Sequence, residues 1–230
     1  MPELATLGRG SVTAKAARKA EKYARRQCEV LDAAAAVFAE KGYHGASTGD
    51  ISARLGIRQG SLYYYFRSKE EALEQVCLIG VQGFVERVEA IAASERPALA
   101  KVRAAVTEHL KALERRRDYV VTFIHQRQHL PAERRRAIAA QSRRYERVVE
   151  DILRDGVEAG EIRADLDCRL MTLALIGMCN AVSVWPARDT GDVLDRVVET
   201  INRILVEGIR AADPEAEQAG GSRGGEAKKR

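Results

Sequence analysis

Apolar residues in this 230-residue chain recur every three or four positions almost from end to end. No Val/Ile/Thr run alternates apolar and polar between Asn-Gly or Asp-Gly turns, as half-buried strands and hairpins require. A chain patterned this way buries its apolar surface only by packing helix on helix, so the expected fold class is all-α. The spacing predicts helices over about Tyr23–Lys41, Thr48–Leu55, Gln59–Phe66, Ser68–Ala92, Ala98–Arg116, Tyr119–His129, Pro131–Ala159, Asp167–Val184 and Asp192–Ala212. Punctuation agrees with that reading. Gly42 supplies a left-handed cap, Gly56 stops a short helix, Gly160 ends a long one, and Pro97, Pro131 and Pro186 mark breaks. Ser68-Lys-Glu-Glu71 has the serine-to-glutamate spacing of a capping box. No repeat of solenoid period interrupts the pattern.

Composition removes several classes. Apolar residues make up 46% and charged residues 31%, of both signs, which excludes a chain disordered throughout. The uncharged stretch Leu170–Pro186 contains Thr172, Asn180 and Ser183 and falls short of the roughly 20 apolar residues a membrane helix needs. Met1–Gly10 lacks the basic, apolar and cleavage regions of a secretory signal. Cys28, Cys77, Cys168 and Cys179 lie far apart with no C-x-x-C pair, as in a reduced, cytoplasmic protein. Residues 1–22 read as a flexible basic arm, and residues 212–230, with Pro214 and four glycines, as a disordered tail.

Charge is unevenly placed. Residues 1–69 hold 12 Lys and Arg against 6 Asp and Glu, whereas residues 70–230 hold 26 against 27. All the excess positive charge therefore lies in the first third, as in a polyanion-binding module joined to a near-neutral body.

Within that third, Thr48–Phe66 has helix-turn-helix arithmetic. Ile51 and Leu55 share one face, Gly56 permits the turn, Ile57 fills the space beneath it, and Leu62 and Phe66 repeat the four-residue spacing. Arg58, Gln59, Ser61, Tyr63, Tyr64 and Tyr65 are left to face outward. Arg, Gln and Ser at the start of a short helix suit base edges, and tyrosine hydroxyls suit phosphates. An ordinary helical hairpin with tyrosines on its rim has the same spacing.

Arg25–Leu73 resembles the DNA-binding domain of the TetR family of bacterial transcriptional regulators. The resemblance rests on the helix Val30–Tyr43, the turn Ile51-Ser-Ala-Arg-Leu-Gly-Ile57 and the run Gly60-Ser-Leu-Tyr-Tyr-Tyr-Phe-Arg-Ser-Lys-Glu70. It implies a helix-turn-helix domain over 23–73 (the motif itself at 47–66), followed by a helical ligand-binding and dimerisation domain over 74–211. By that resemblance Thr48 caps the second helix and touches a phosphate. Tyr63, Tyr64 and Lys69 contact the DNA backbone, and Arg58, Gln59 and Ser61 read bases. Many members have Ser then Lys before the glycine; here Arg58 and Gln59 stand there, and the usual cap of the recognition helix is missing. Gln pairs bidentately with adenine and Arg with guanine, so the change bears on sequence choice.

The resemblance further implies a homodimer on a double-stranded palindromic operator, released by a small ligand. Two stripes suit a four-helix interface between chains: Leu170, Leu173, Ala174, Gly177, Met178 and Ala181, and then Val197, Ile201, Ile204, Leu205 and Gly208. Candidate pocket residues are Tyr119, Phe123, Gln126, Met178 and Trp185, with Met171 and Asn180. Val120–Leu130 and Gly177–Pro186 are similar to regulators responding to acyl-coenzyme A thioesters, with Arg127, Arg143, Arg144 and Arg188 as cations for the CoA phosphates.

His125 and His129 stand four apart, but Gln126 occupies the position where a zinc hydrolase needs Glu. No Cys or further His follows at ligand spacing, so only Asp or Glu from elsewhere could complete a site. No nucleophile elbow or phosphate-binding glycine loop is present. The expectation is a non-enzymatic regulator with no cofactor and no metal. The competing class is a small all-α enzyme or carrier for an apolar ligand.

Overall fold

The computed structural model describes residues 7–185 and 193–211, with side chains from residue 17 onward. Its helices are α1 (Leu7–Gly45), α2 (Thr48–Leu55), α3 (Lys69–Ala92), α4 (Ala98–Gln126), α5 (Ala132–Glu158), α6 (Cys168–Ala181) and α7 (Leu194–Ile209). Short 3-10 helices lie at Gln59–Tyr64, Arg127–His129 and Val182–Val184. Among the described residues the extended pairing is a single bridge, Ile162 to Arg210. The expected tail, Pro186 and Arg188 fall outside the described residues.

Three boundaries differ from the sequence reading. Residues 7–22, expected as a flexible arm, are the opening turns of α1. Ala14, Ala16, Ala17 and Ala20 alternate there with long-chain Lys and Arg, all strong helix formers, and a lack of apolar content says nothing against helix. The helices expected at Ala98–Arg116 and Tyr119–His129 are one element, broken where Arg116 leaves helical geometry (φ −148°, ψ 51°). The recognition segment, expected as α-helix over Gln59–Phe66, is a 3-10 helix over Gln59–Tyr64. Its Arg58 cap makes no side-chain hydrogen bond. An uncapped segment of two turns containing Gly60 lacks the length and capping that sustain an α-helix.

The chain forms two compact units. The first comprises Met1–Gly80 with Asp118–Ile138, the second Val81–Arg117 with Ala139–Arg230. In the first, Val30, Ala34, Val37 and Phe38 of α1 are buried together with Ile51, Leu62, Phe66, Leu73 and Val76. Thr122 in α4 is fully buried, and its hydroxyl donates to the Ala35 carbonyl at 3.2 Å. At Gly80 in α3 a Cβ would stand 2.8 Å from the Tyr119 carbonyl oxygen, so α3 and α4 approach closely there.

In the second unit the core includes Val102, Val106 and Leu110 of α4, Val149 and Leu153 of α5, Leu175 of α6, and Leu205 and Val206 of α7. The first turn of α4 has no acidic residue of its own. Glu161 supplies the carboxylate instead, accepting from the Ala98 and Leu99 amides at 3.1 Å each.

Candidate functional site

Within the first unit, α2 starts at a reciprocal cap. Ser47 Oγ accepts from the Asp50 amide at 3.1 Å, while the Asp50 carboxylate accepts from the Ser47 amide at 2.8 Å. The cap is therefore Ser47 and not Thr48, which is the first helical residue. A Ser-Thr pair offers two adjacent capping hydroxyls, and only backbone geometry selects between them. Lys41, at 2.5 Å, and Ser47 together hold the Asp50 carboxyl down at about 2. Gly56 ends α2 at φ 63°, a left-handed conformation that a side chain would strain.

Ile51 of α2, and Leu62 and Phe66 beyond the turn, point inward as the spacing predicted, and Arg58, Gln59, Tyr63 and Tyr64 are exposed. Gln59 Nε2 donates to Thr48 Oγ1 at 2.6 Å. Ser61 is half-buried. Tyr65, also outward by spacing, instead stacks on Tyr23 of α1 with ring centroids 5.4 Å apart. Lys69 donates to the carbonyls of Tyr43 and Ala46 at 2.9 and 3.0 Å and lies 4.3 Å from the centre of the Tyr43 ring. It thus ties the start of α3 to the end of α1. The Tyr43 hydroxyl donates to Glu70, and burial with that carboxylate pushes the phenol up to about 12.

This arrangement presents a polar, aromatic and cationic surface on a short segment braced by two helices, as groove-reading motifs do. Residues 30–76 match the family model described as bacterial regulatory proteins, tetR family, and residues 95–209 match the tetracyclin repressor-like, C-terminal domain. The chain belongs to the TetR family. The fatty acid metabolism regulator protein of Bacillus subtilis is 29% identical over 183 residues, covering 79% of this chain and 94% of that protein. The structure of the ketosteroid transcriptional regulator KstR2 of Mycobacterium tuberculosis is similar, at TM-score 0.76 and 26% identity over 81% of this chain and 96% of that one. So is that of FadR from Bacillus subtilis in complex with stearoyl-CoA, at TM-score 0.66 and 27% identity over 80% and 99%. This TetR-family chain is a DNA-binding transcriptional repressor, and its family consists of regulators rather than enzymes.

The five residues expected to line a pocket in this TetR-family repressor divide between the units. Tyr119, Phe123 and Gln126 belong to the first. The Tyr119 hydroxyl donates to Asp32 at 2.8 Å, and Gln126 Oε1 accepts from the Tyr43 amide at 2.9 Å beside Gly42. Met178 and Trp185 belong to the second unit and are 36% and 40% exposed. Of the expected CoA cations, Arg127 folds back onto the Phe123 and Ile124 carbonyls, and Arg144 pairs with Glu89. His129 stacks on Tyr43 and meets His44 edge-on, while burial lowers the pKa of His125. Among the described residues no group of His, Cys, Asp or Glu is placed to hold a metal ion.

Sequence reasoning missed a buried polar chain in the second unit. His109 Nδ1 lies 2.9 Å from the Tyr145 hydroxyl, and its Nε2 lies 3.1 Å from Asn180 Oδ1. An amide oxygen only accepts, so Nε2 carries the proton and Nδ1 accepts from Tyr145. Burial pushes the imidazole pKa down to about 4, partly offset by the Asn180 hydrogen bond, and raises the Tyr145 phenol. The Phe84 ring stands 4.5 Å from that of His109. At the edge, Arg87 Nε is buried without a hydrogen-bond partner, 3.7 Å from a Glu108 carboxylate oxygen. The space these side chains enclose with Val88, Ile91 and Ala105 is too small for a water molecule. Three histidine, tyrosine and asparagine positions far apart in sequence carry no local signal of this cluster.

The interface stripes also resolve. On α6, Leu170, Leu173, Ala174, Gly177, Met178 and Ala181 are all exposed, whereas Leu175 and Cys179 between them are buried. On α7, Ile204 and Gly208 are exposed, but Ile201 and Leu205 are buried in the chain's own core. The apolar side of α7 is one broad arc, and spacing alone did not separate its buried middle from its exposed edge.

Proposed function

We propose that this repressor acts in the cytoplasm as a homodimer on a palindromic operator and is released by an acyl-CoA thioester binding in its second unit. The observation that carries the ligand reading is the buried His109–Tyr145–Asn180 chain beside Arg87, whose Nε makes no hydrogen bond and stands 3.7 Å from Glu108. A carbonyl on an otherwise apolar molecule would displace one of these acceptors, with Tyr145 or His109 donating to it instead. The likeness to a regulator solved with stearoyl-CoA supports the same class.

In this reading Arg58, Gln59 and Ser61 meet base edges, and Thr48, Tyr63, Tyr64 and Lys69 meet phosphates. The exposed stripes of α6 and α7 pair with their copies in a second chain, which sets two recognition segments about one DNA turn (~34 Å) apart. The space beside His109 is too small for a ligand as it stands. Four of its lining residues, Phe84, Arg87, Val88 and Ile91, lie on α3, the helix that begins at Lys69, so a ligand that enters by displacing them moves that helix. Release follows if the ligand prefers the displaced state. Met178 and Trp185 are kept as flanking contacts, and Tyr119, Phe123 and Gln126 as residues that respond when α4 shifts.

The test uses a duplex selected from a random library by the wild-type protein. Stearoyl-CoA should dissociate that complex and alter Trp185 fluorescence over the same concentration range. Tyr145→Phe should retain duplex affinity and lose the response. Dissociation unaffected by Tyr145→Phe and His109→Leu would move the ligand elsewhere. Release by a ketosteroid and not by stearoyl-CoA would replace the ligand class.

A further inference from the structure

We infer that α1 carries a second DNA contact outside the helix-turn-helix, a cationic face that grips the sugar-phosphate backbone flanking each half-site. The inference rests on the DNA-binding reading of the recognition segment and adds a separate surface to it.

Four observations lead there. First, α1 continues without a break from the buried Val30 back to Leu7. At about 1.5 Å per residue, the part before Tyr23 is about 24 Å of helix, a sizeable fraction of a DNA turn. Second, at about 100° per residue, Arg18, Lys19, Lys22, Arg25 and Arg26 fall within roughly a third of the helix circumference. Glu21 lies off that arc.

Third, Lys19, Lys22, Arg25 and Arg26 line an open cleft of about 450 Å³ with the rings of Tyr23 and Tyr65. Four cations there face a single carboxylate, Glu29, which pairs with Arg25 and Arg26 at 3.4 and 2.5 Å at the inner end. Arg18, Lys19 and Lys22 are exposed. Fourth, the cleft is joined to the recognition segment. Tyr23 stacks on Tyr65, and its hydroxyl donates to the Tyr64 carbonyl at 3.2 Å. Tyr64 itself is 80% exposed. The cationic face is therefore continuous with the tyrosines proposed to meet phosphate, and it extends that surface away from the motif.

A long helix bearing cations on one side, braced against a groove-reading segment by aromatic stacking, fits a polyanion of extended regular charge. Lysines contact phosphate as point charges and impose no base preference. The site therefore adds affinity, salt dependence and footprint length, and leaves sequence choice to Arg58, Gln59 and Ser61.

The test compares wild type with an Arg18→Ala/Lys19→Ala/Lys22→Ala variant on a duplex selected by the wild type and carrying flanks beyond the palindrome. Affinity is followed over about 50–300 mM salt, where each lost phosphate contact should flatten the log–log slope by about 0.9. The variant should bind more weakly at low salt, keep the same base preference, and give a hydroxyl-radical footprint shortened at both outer edges. Trimming the duplex to the bare palindrome should erase the difference between the two proteins. Lys19→Glu/Lys22→Glu should lose more affinity than the alanine variant, with an unchanged unfolding midpoint confirming the fold. Equal slopes and equal footprints would overturn the inference while leaving motif binding in place. Failure of the wild type to select any duplex would overturn both.

Discussion

The carboxamide of Gln59 donates to the hydroxyl of Thr48 across the turn at 2.6 Å, so a proposed base-reading residue is held by a proposed phosphate contact. The pair restricts the Gln59 side chain before DNA arrives. Gln59→Ala should cost roughly 1–3 kcal/mol of operator affinity and relax choice at one base pair. Thr48→Val should cost less on its own. A double-mutant cycle measured by gel shift should give a coupling of about 0.5–1 kcal/mol, and additive losses would show that the hydrogen bond does not survive into the complex.

Lys69 is expected to matter twice. Its ammonium holds two carbonyls at the end of α1 with two of its three donors. Lys69→Ala should lower stability by roughly 1–2 kcal/mol, read from denaturant midpoints, and should weaken binding to all duplexes alike. A change in base preference would contradict a backbone role.

Assembly separates the two faces of α7. Ile204, 56% exposed, and Leu173, 44% exposed, are expected in the seam between chains, so Ile204→Glu or Leu173→Glu should sediment as folded monomers. Ile201→Glu should instead unfold the chain, because Ile201 is 9% exposed and belongs to its own core. Circular dichroism with sedimentation velocity distinguishes the outcomes.

Acid should destabilise the second unit through His109. Its imidazole binds a proton near pH 6.5 when unfolded but resists protonation down to about 4 when buried. The unfolded state therefore binds more protons between those values, and the contribution present above pH 6.5 is lost as pH falls toward 4. By linkage the full effect is about 3 kcal/mol. Urea midpoints should fall over that window for wild type, and His109→Gln, less stable at neutral pH, should show a flatter profile.

The helical class, the turn at Gly56, the inward set Ile51, Leu62 and Phe66, and the stripe of α6 can all be read along the chain. Each is written in spacings of three or four residues, or in a residue whose backbone preference is intrinsic, so neighbours along the chain suffice to read it. Packing in three dimensions set the rest: Ser47 rather than Thr48 caps α2, Tyr65 turns to Tyr23, and Lys69 spends donors on the end of α1. It also turned Ile201 and Leu205 inward and brought His109 to Tyr145 and Asn180, residues 36 and 71 positions away. Periodicity says that a side chain is on a face. Which polar atom finds which partner depends on how close separate helices come, and that distance is set by packing that no local window contains.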